Sequence, residues 1–174
     1  MFKRTLRTFA AVTIAVAATV TATGTAVARD TPSGDLCYRA HVQNFGWQDW
    51  RCDGEWAGTT GKAAHVEAVE FDVPLGATAR FCVKAHRTNY GWDSTYQCTS
   101  SSRSRVMIGT TGMNTPIEAI AFYRDSIIAR IDAEAHIRND GWKDSTYLGG
   151  NFGAEMIGTT GRALPIEAFW FKWA

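Results

Sequence analysis

The stretch Ala40-His41-Val42-Gln43-Asn44-Phe45-Gly46-Trp47 decides the fold of this chain, because its pattern A-H-x-x-N-x-G-W occurs three times. The other copies are Ala85-His86-Arg87-Thr88-Asn89-Tyr90-Gly91-Trp92 and Ala135-His136-Ile137-Arg138-Asn139-Asp140-Gly141-Trp142. Each copy is followed by a Gly-Thr-Thr-Gly marker and then by an apolar-Glu-Ala marker, whose glutamates are Glu67, Glu118 and Glu167. A recurrence of this period indicates three structural units that share one core.

Each repeat shows the residue alternation of β-strands. In repeat three, Ile131, Ala133, Ala135 and Ile137 alternate with polar residues, a period of two that is typical of a half-buried strand. Three or four short strands per repeat predict an all-β chain of about ten strands. Three equal repeats of about 48 residues predict a closed, pseudo-threefold architecture, for which we favour a β-prism and keep a β-trefoil as the alternative.

The first residues read as an export signal. A basic start, an apolar run and the small residues Ala26-Val27-Ala28 predict a signal peptide at residues 1–28, followed by a disordered lead-in at 29–35. We expect a single domain at 36–174, divided into repeats at 36–78, 79–126 and 127–174. Loss of the three cations of the signal peptide takes the formal net charge from +1 to −2, which disfavours a nucleic-acid partner.

Four cysteines occur at matching places in repeats one and two. Repeat three lacks both members of the pair, having Asp132 and Gly149 there. This joint loss predicts disulfides within repeats, Cys37–Cys52 and Cys82–Cys98, as expected of an exported chain. Zinc binding is the rival interpretation, but no pair has close ligand spacing.

The glutamate of each apolar-Glu-Ala marker shares the parity of its apolar neighbours, so a regular strand would turn it inward and a one-residue bulge would turn it outward. A buried carboxylate requires hydrogen-bond donors. We expect backbone N–H groups of the Gly-Thr-Thr-Gly turn to supply them. Glu67, Glu118 and Glu167 are therefore interpreted as structural rather than as ligand contacts.

With these markers in fixed order, the chain resembles the clostridial hydrophobic W (ChW) repeat, a family of secreted bacterial modules, over Cys37 to Trp173. The Gly-Trp pairs carry the resemblance, while repeat two departs from the family pattern at Arg87, where an apolar residue is usual. The resemblance implies a secreted or cell-surface module of a Gram-positive bacterium with adhesive, wall-binding or protein-binding roles. It brings no catalytic residues.

The candidate ligand-binding residues are the histidine, asparagine and tryptophan that recur in each copy: His41, Asn44 and Trp47; His86, Asn89 and Trp92; His136, Asn139 and Trp142. Tryptophan faces accept sugar rings, and histidine and asparagine can hydrogen-bond hydroxyl groups. Secondary aromatic contacts are expected at Trp50, Tyr96 and Tyr147. The alternative is that each tryptophan fills the core and each asparagine side chain hydrogen-bonds the backbone of its own N-x-G-W turn. The phase of the strand places the histidines on the polar face, away from a shared metal site, and His65 is expected at the surface.

The leading hypothesis is a secreted, non-catalytic module that binds carbohydrate or cell-envelope polymer at three repeated sites, without a cofactor or metal. The alternative is an adaptor or inhibitor that holds another secreted protein. An enzyme is not expected, because an active site is one asymmetric constellation whereas these residues come in threes.

Overall fold

The computed structural model describes residues 36–73, 80–102, 104–125, 130–150 and 153–173. The predicted signal peptide and lead-in lie outside these residues. Within them every regular element is a strand, so the all-β prediction is confirmed. The same residues contain no helix that is long and apolar enough to span a membrane.

Each repeat contributes five strands. Repeat one has β1 (Cys37–Val42), β2 (Gly46–Trp47), β3 (Arg51–Cys52), β4 (Ala57–Gly58) and β5 (Val66–Asp72). Repeat two has β6 (Phe81–Arg87), β7 (Gly91–Trp92), β8 (Gln97–Cys98), β9 (Arg105–Gly109) and β10 (Ile117–Arg124). Repeat three has β11 (Ile131–Ile137), β12 (Gly141–Asp144), β13 (Thr146–Gly149), β14 (Ala154–Gly158) and β15 (Ile166–Trp173).

The strands form three antiparallel sheets, and each sheet is built on the first and last strands of one repeat. Sheet one contains β2, β1, β5 and β9, with β3 beside β1. Sheet two contains β13, β14, β10, β6 and β7, with β8 beside β6. Sheet three contains β12, β11, β15 and β4.

The sheets are joined by a cyclic exchange of strands. The strand before the Gly-Thr-Thr-Gly marker always pairs with the last strand of another repeat: β9 of repeat two pairs with β5, β14 of repeat three pairs with β10, and β4 of repeat one pairs with β15. Because repeat one supplies a strand to repeat three, the exchange closes on itself. The closed, pseudo-threefold arrangement follows from this pairing, while the choice between prism and trefoil stays a prediction.

The interior is one apolar cluster to which all three sheets contribute. Phe71, Phe122 and Phe171 occupy equivalent positions, four residues after the marker glutamate, and all are buried. Phe171 packs edge-on against both others, with ring centroids 5.1 Å apart in each case. Aromatic pairs favour this geometry over face-to-face stacking. Three copies of one sequence position thus fill the common centre.

Both predicted disulfides are present, Cys37–Cys52 and Cys82–Cys98. Each joins the first strand of its repeat to a two-residue strand beside it, β3 or β8. Repeat three has no such bond, and its corresponding segment, β13, pairs instead with β14 in sheet two. Loss of the cysteines therefore coincides with a different partner for this segment.

Glycine is required where the exchanged strand meets its neighbour. Gly58, Gly109 and Gly158 have φ values of 108°, 81° and 95°, and a Cβ at any of them would overlap the main chain of the neighbouring repeat. Only glycine adopts these conformations freely and allows such an approach. The next residue of each marker, Thr59, Thr110 or Thr159, donates its backbone N–H to the carbonyl of the glutamate in the neighbouring repeat, at 2.8, 3.0 and 2.9 Å.

Candidate functional site

The glutamate of each repeat lies on a β-bulge. In sheet one, His41 pairs with Ala68 and Val42 pairs with Val66, so that Glu67 has no partner across the strands. The same register shift leaves Glu118 in sheet two and Glu167 in sheet three without a cross-strand partner. The extra residue changes the side-chain alternation, and each carboxylate turns toward the histidine of the first strand.

The three carboxylates are buried, with residue exposures of 4, 4 and 5%. An oxygen of each lies near the Nδ1 atom of its histidine: 3.0 Å for His41 and His86, and 3.4 Å for His136. None of these contacts has the geometry of a hydrogen bond. The expectation that turn N–H groups bind the carboxylates was wrong. Those groups bind the main-chain carbonyl of the same glutamates, because the exchanged strand approaches the backbone rather than the side chain.

A further polar partner differs from one repeat to the next. Thr88 donates its hydroxyl to Glu118 at 2.7 Å, and Arg138 donates to Glu167 at 3.0 Å. In repeat one, His65 lies with its Nε2 atom 3.8 Å from Glu67. Each buried carboxylate thus has a histidine and one more polar group beside it.

His65 is buried, with 5% exposure, and is not the surface residue that the sequence indicated. Its place in the other repeats is taken by Pro116 and Pro165, so the repeats gave no signal for it. Burial lowers the pKa of His65 below its ordinary value, because desolvation disfavours the charged imidazolium. The carboxylate of Glu67 opposes this shift only in part.

The tryptophans lie at the end of each hairpin, against the histidines. The ring centroids of the pairs His41–Trp47, His86–Trp92 and His136–Trp142 are 5.3, 5.2 and 5.5 Å apart, and all three contacts are edge-on. Trp47 and Trp92 are half-buried, whereas Trp142 is 40% exposed. None belongs to the apolar cluster, so the structure does not support the alternative in which tryptophan plugs the core. We call each histidine–tryptophan pair, with its glutamate, a corner.

The asparagines have a backbone role. Asn44, Asn89 and Asn139 are exposed at the hairpin loops and have φ values of 64°, 66° and 62°. Asparagine enters this left-handed region more readily than most residues, and the glycine two positions later occupies it too. These residues turn the chain so that the tryptophan returns beside the histidine. Their contact with a ligand stays a prediction.

A cation covers the tryptophan in two of the corners. The guanidinium of Arg39 lies 4.8 Å from the ring centres of both Trp47 and Trp50. The ammonium of Lys84 lies 5.2 Å from that of Trp92 and 4.7 Å from that of Tyr96. These distances are typical of cation–π contacts. Trp50 and Tyr96 therefore lie beside their corners, and their contact with a ligand stays a prediction.

Repeat three departs from this arrangement. Glu134 occupies the position of Arg39 and Lys84, two residues before the histidine. Tyr147, the expected third secondary aromatic contact, lies on β13 opposite Glu155 and is 67% exposed. It is thus paired into sheet two instead of lying beside its own corner in sheet three.

Two grooves run between a corner and the strand that precedes the Gly-Thr-Thr-Gly marker. The groove of repeat one has a volume of about 740 Å³ and includes Trp47 and Trp56 in its walls. The groove of repeat two has a volume of about 400 Å³ and includes Trp92 and Met107. Trp56 and Met107 are equivalent, two residues before the marker glycine, and are 51 and 50% exposed. In repeat one, the side-chain amide of Gln48 holds the wall in place. It accepts a hydrogen bond from the backbone N–H of Gly58 at 2.7 Å and donates one to the carbonyl of Gly58 at 3.1 Å.

The sequence did not single out Arg39, Lys84, Trp56 or Met107. Arg39 and Lys84 have the parity of the site histidines, a signal that would have placed them on the same face. Trp56 and Met107 carry no such signal, since they reach the groove only through the strand exchange.

The family model of the clostridial hydrophobic W repeat matches residues 41–73 and 136–173. Both segments begin at a corner histidine, and they end at or just beyond the last strand of repeats one and three. No curated protein and no solved structure matches the chain.

Proposed function

Because this chain belongs to the clostridial hydrophobic W family, we propose that it is an extracellular, non-catalytic module that binds carbohydrate or another cell-envelope polymer at its repeated corners. The observation that carries the proposal is the position of the tryptophans, which lie at the surface beside histidines backed by buried carboxylates. Sites for small ligands combine aromatic walls with a few fixed polar groups. The two grooves have this composition.

Recurrence supports a polymeric ligand. Shallow sites bind weakly one at a time, but several sites on one rigid body gain affinity on a ligand that repeats the same unit. Two disulfides fit an oxidising, extracellular location. Catalysis is not proposed, because the histidine–glutamate pair occurs in all three repeats and its carboxylate is committed to the bulge.

Exposed apolar side chains support a second candidate, an adaptor for another secreted protein. Phe45 and Tyr90 stand at equivalent hairpin tips and are 58 and 60% exposed. Exposed aromatic residues of this size are enriched in protein interfaces. Repeat three has Asp140 at this position, so the tips do not carry a threefold binding surface.

Co-sedimentation with purified cell walls and insoluble polysaccharides tests the proposal. The mature chain is compared with a triple variant, Trp47→Ala, Trp92→Ala and Trp142→Ala, and with a control variant, Met113→Ala and Leu148→Ala, which removes exposed apolar side chains outside the corners. Circular dichroism verifies that both variants fold. We expect the wild type and the control to sediment with the polymer and the triple variant to remain in solution.

Binding that survives in the folded triple variant contradicts the proposal. Loss of polymer binding in a Phe45→Ala and Tyr90→Ala variant alone would place the site at the hairpin tips and would likewise contradict it.

A further inference from the structure

The corner of repeat three differs from the other two in charge as well as in exposure. At the first-strand position two residues before the histidine, repeats one and two have Arg39 and Lys84, and repeat three has Glu134. The facing position on the last strand also changes. Arg39 pairs with Glu70 at 2.6 Å, whereas Glu134 faces Trp170.

The indole of Trp170 donates its Nε1 hydrogen to Glu134 at 3.2 Å, which fixes the carboxylate on the outer face of sheet three. On the other side, Asp144 is the direct partner of Glu134 across β11 and β12. Two like charges opposite each other destabilise an antiparallel pair. Among the residues that the structure describes, no cation forms an ion pair with either carboxylate. Lys172 lies two pairs farther along, opposite Asp132.

The ring of Trp142 is 40% exposed, and no cation from the described part of the chain covers it. In repeats one and two the equivalent ring carries the chain's own guanidinium or ammonium group. Those two corners show which chemical group fits against this tryptophan. In repeat three, Glu134 replaces the cation, with Asp144 opposite it, and the place is open for a cation from outside.

We propose that the repeat-three corner binds a primary ammonium group, carried by a free amino sugar of the polymer ligand, between Trp142, Glu134 and Asp144. This inference rests on the proposed function and adds the chemical class of one site. An ammonium on a sugar ring can meet the carboxylates while the apolar face of that ring packs on the exposed tryptophan. Cation–π contact and ion pairing reinforce each other when the group leaves water.

Calorimetric titration of the mature chain with a soluble glucosamine oligomer, and with the same oligomer fully N-acetylated, tests this inference. Acetylation keeps the sugar ring and removes the charge. We expect the free amine to bind about tenfold more tightly or better, since cation–π contact and ion pairing together amount to at least one decade. Added salt should reduce the difference.

Three variants assign the binding to this corner. Glu134→Lys supplies repeat three with the cation that Lys84 supplies in repeat two, and we expect it to occupy Trp142 and abolish the preference for the amine. Glu134→Gln removes the charge with little change of shape and should weaken amine binding about tenfold. Asp125→Asn, which removes a carboxylate that pairs with Arg80 outside the corners, is the matched control and should leave the preference unchanged. Should Glu134→Lys fail to fold, Glu134→Gln decides.

The outcomes separate this inference from the proposed function. Equal binding of the free and acetylated oligomers overturns the ammonium site and leaves the polymer-binding proposal intact. Binding of neither oligomer overturns the ammonium site, and co-sedimentation then decides the wider proposal separately. A lysine oligopeptide that binds more tightly than the amino sugar, and loses binding in Glu134→Gln, overturns the assignment to sugar in favour of a protein side chain.

Discussion

A buried carboxylate beside a histidine is the residue-scale feature that all three repeats share. Glu118 is 4% exposed, and it lies next to His86 and accepts a hydrogen bond from Thr88. Burial of such a group is costly unless its oxygens find donors or positive charge. The pair also holds the imidazole against Trp92, whose ring centre is 5.2 Å away. The carboxylate therefore supports the shape of the corner from beneath.

Replacing Glu118 by alanine should lower the free energy of unfolding by about 2 to 3 kcal/mol, because it leaves the Thr88 hydroxyl without its acceptor and removes the carboxylate that lies 3.0 Å from the buried Nδ1 atom of His86. The matched control is Glu55→Ala, whose side chain is 61% exposed and should cost under about 0.5 kcal/mol. Urea denaturation measures both. Similar losses for the two variants would show that the buried carboxylate has no special structural role.

His65 gives the protein a pH-dependent stability. Since burial lowers its pKa in the folded state, the unfolded chain binds a proton more readily than the folded chain as the pH falls below the ordinary histidine value of 6.5. Stability from this group is therefore present above that value and is lost on acidification. The charged groups that act on it are Glu67, Arg138 and Glu167.

His65→Pro tests this, because Pro116 and Pro165 hold the same position in the other repeats. The main-chain carbonyl at this position accepts an equivalent backbone hydrogen bond in all three repeats, from Gln43, Thr88 or Arg138. We expect the variant to be at least as stable as the wild type at neutral pH and to lose less stability toward pH 5, as measured by thermal unfolding across a pH series. Parallel pH profiles would contradict the assignment.

At the scale of elements, the strand before each Gly-Thr-Thr-Gly marker holds the fold together. It pairs with the last strand of a neighbouring repeat, and its final glycine lies against the backbone at the glutamate bulge. The hydrogen bond from the following threonine anchors the strand at that point. The bulge thus serves two purposes, since it directs the carboxylate to the histidine and receives the exchanged strand.

Gly109 and Gly112 separate the effect of close approach from that of backbone conformation. Both have positive φ, 81° and 74°, but a Cβ at Gly109 would overlap the backbone at Glu67, whereas Gly112 faces open space. We expect Gly112→Ala to cost about 1 to 2 kcal/mol from the left-handed conformation alone. Gly109→Ala should cost clearly more or prevent folding. Denaturant titration compares them, and equal losses would mean that the junction is loose.

The sequence predicted the features that depend on local periodicity. The alternation over Ile131 to Ile137 matches β11, and the joint loss of cysteines in repeat three identified both disulfides. The partner of the exchanged strand was not predictable, because no local pattern indicates which repeat supplies the facing glutamate. For a related reason, the sequence left open the alternative that the tryptophans lie in the core. An identical residue in three repeats serves a core or a surface equally well, and its place at a hairpin end decides between them.

At the scale of the whole molecule, the three repeats form one cooperative unit. None can complete its own sheet, because β9, β14 and β4 each belong to another repeat's sheet. The interior is likewise shared, with Phe71, Phe122 and Phe171 meeting at its centre. Sites on such a body keep fixed distances from one another, which favours simultaneous contact with a repetitive ligand.

Cyclic exchange should make thermal unfolding a single transition. We expect equal calorimetric and van't Hoff enthalpies with the disulfides intact, because removing one strand leaves its neighbour's sheet incomplete. If Gly109→Ala folds, it should lower the midpoint without splitting the transition. Two resolved transitions would show that the repeats fold independently.

The proposed function requires the tryptophan corners to act together in binding a polymer. The most direct measurement is a set of binding isotherms on one insoluble polymer for the wild type, the single variants Trp47→Ala, Trp92→Ala and Trp142→Ala, and the folded triple variant. We expect each single change to weaken binding about tenfold or more through lost avidity, and the triple change to abolish it. Wild-type affinity in the folded triple variant would contradict the claim.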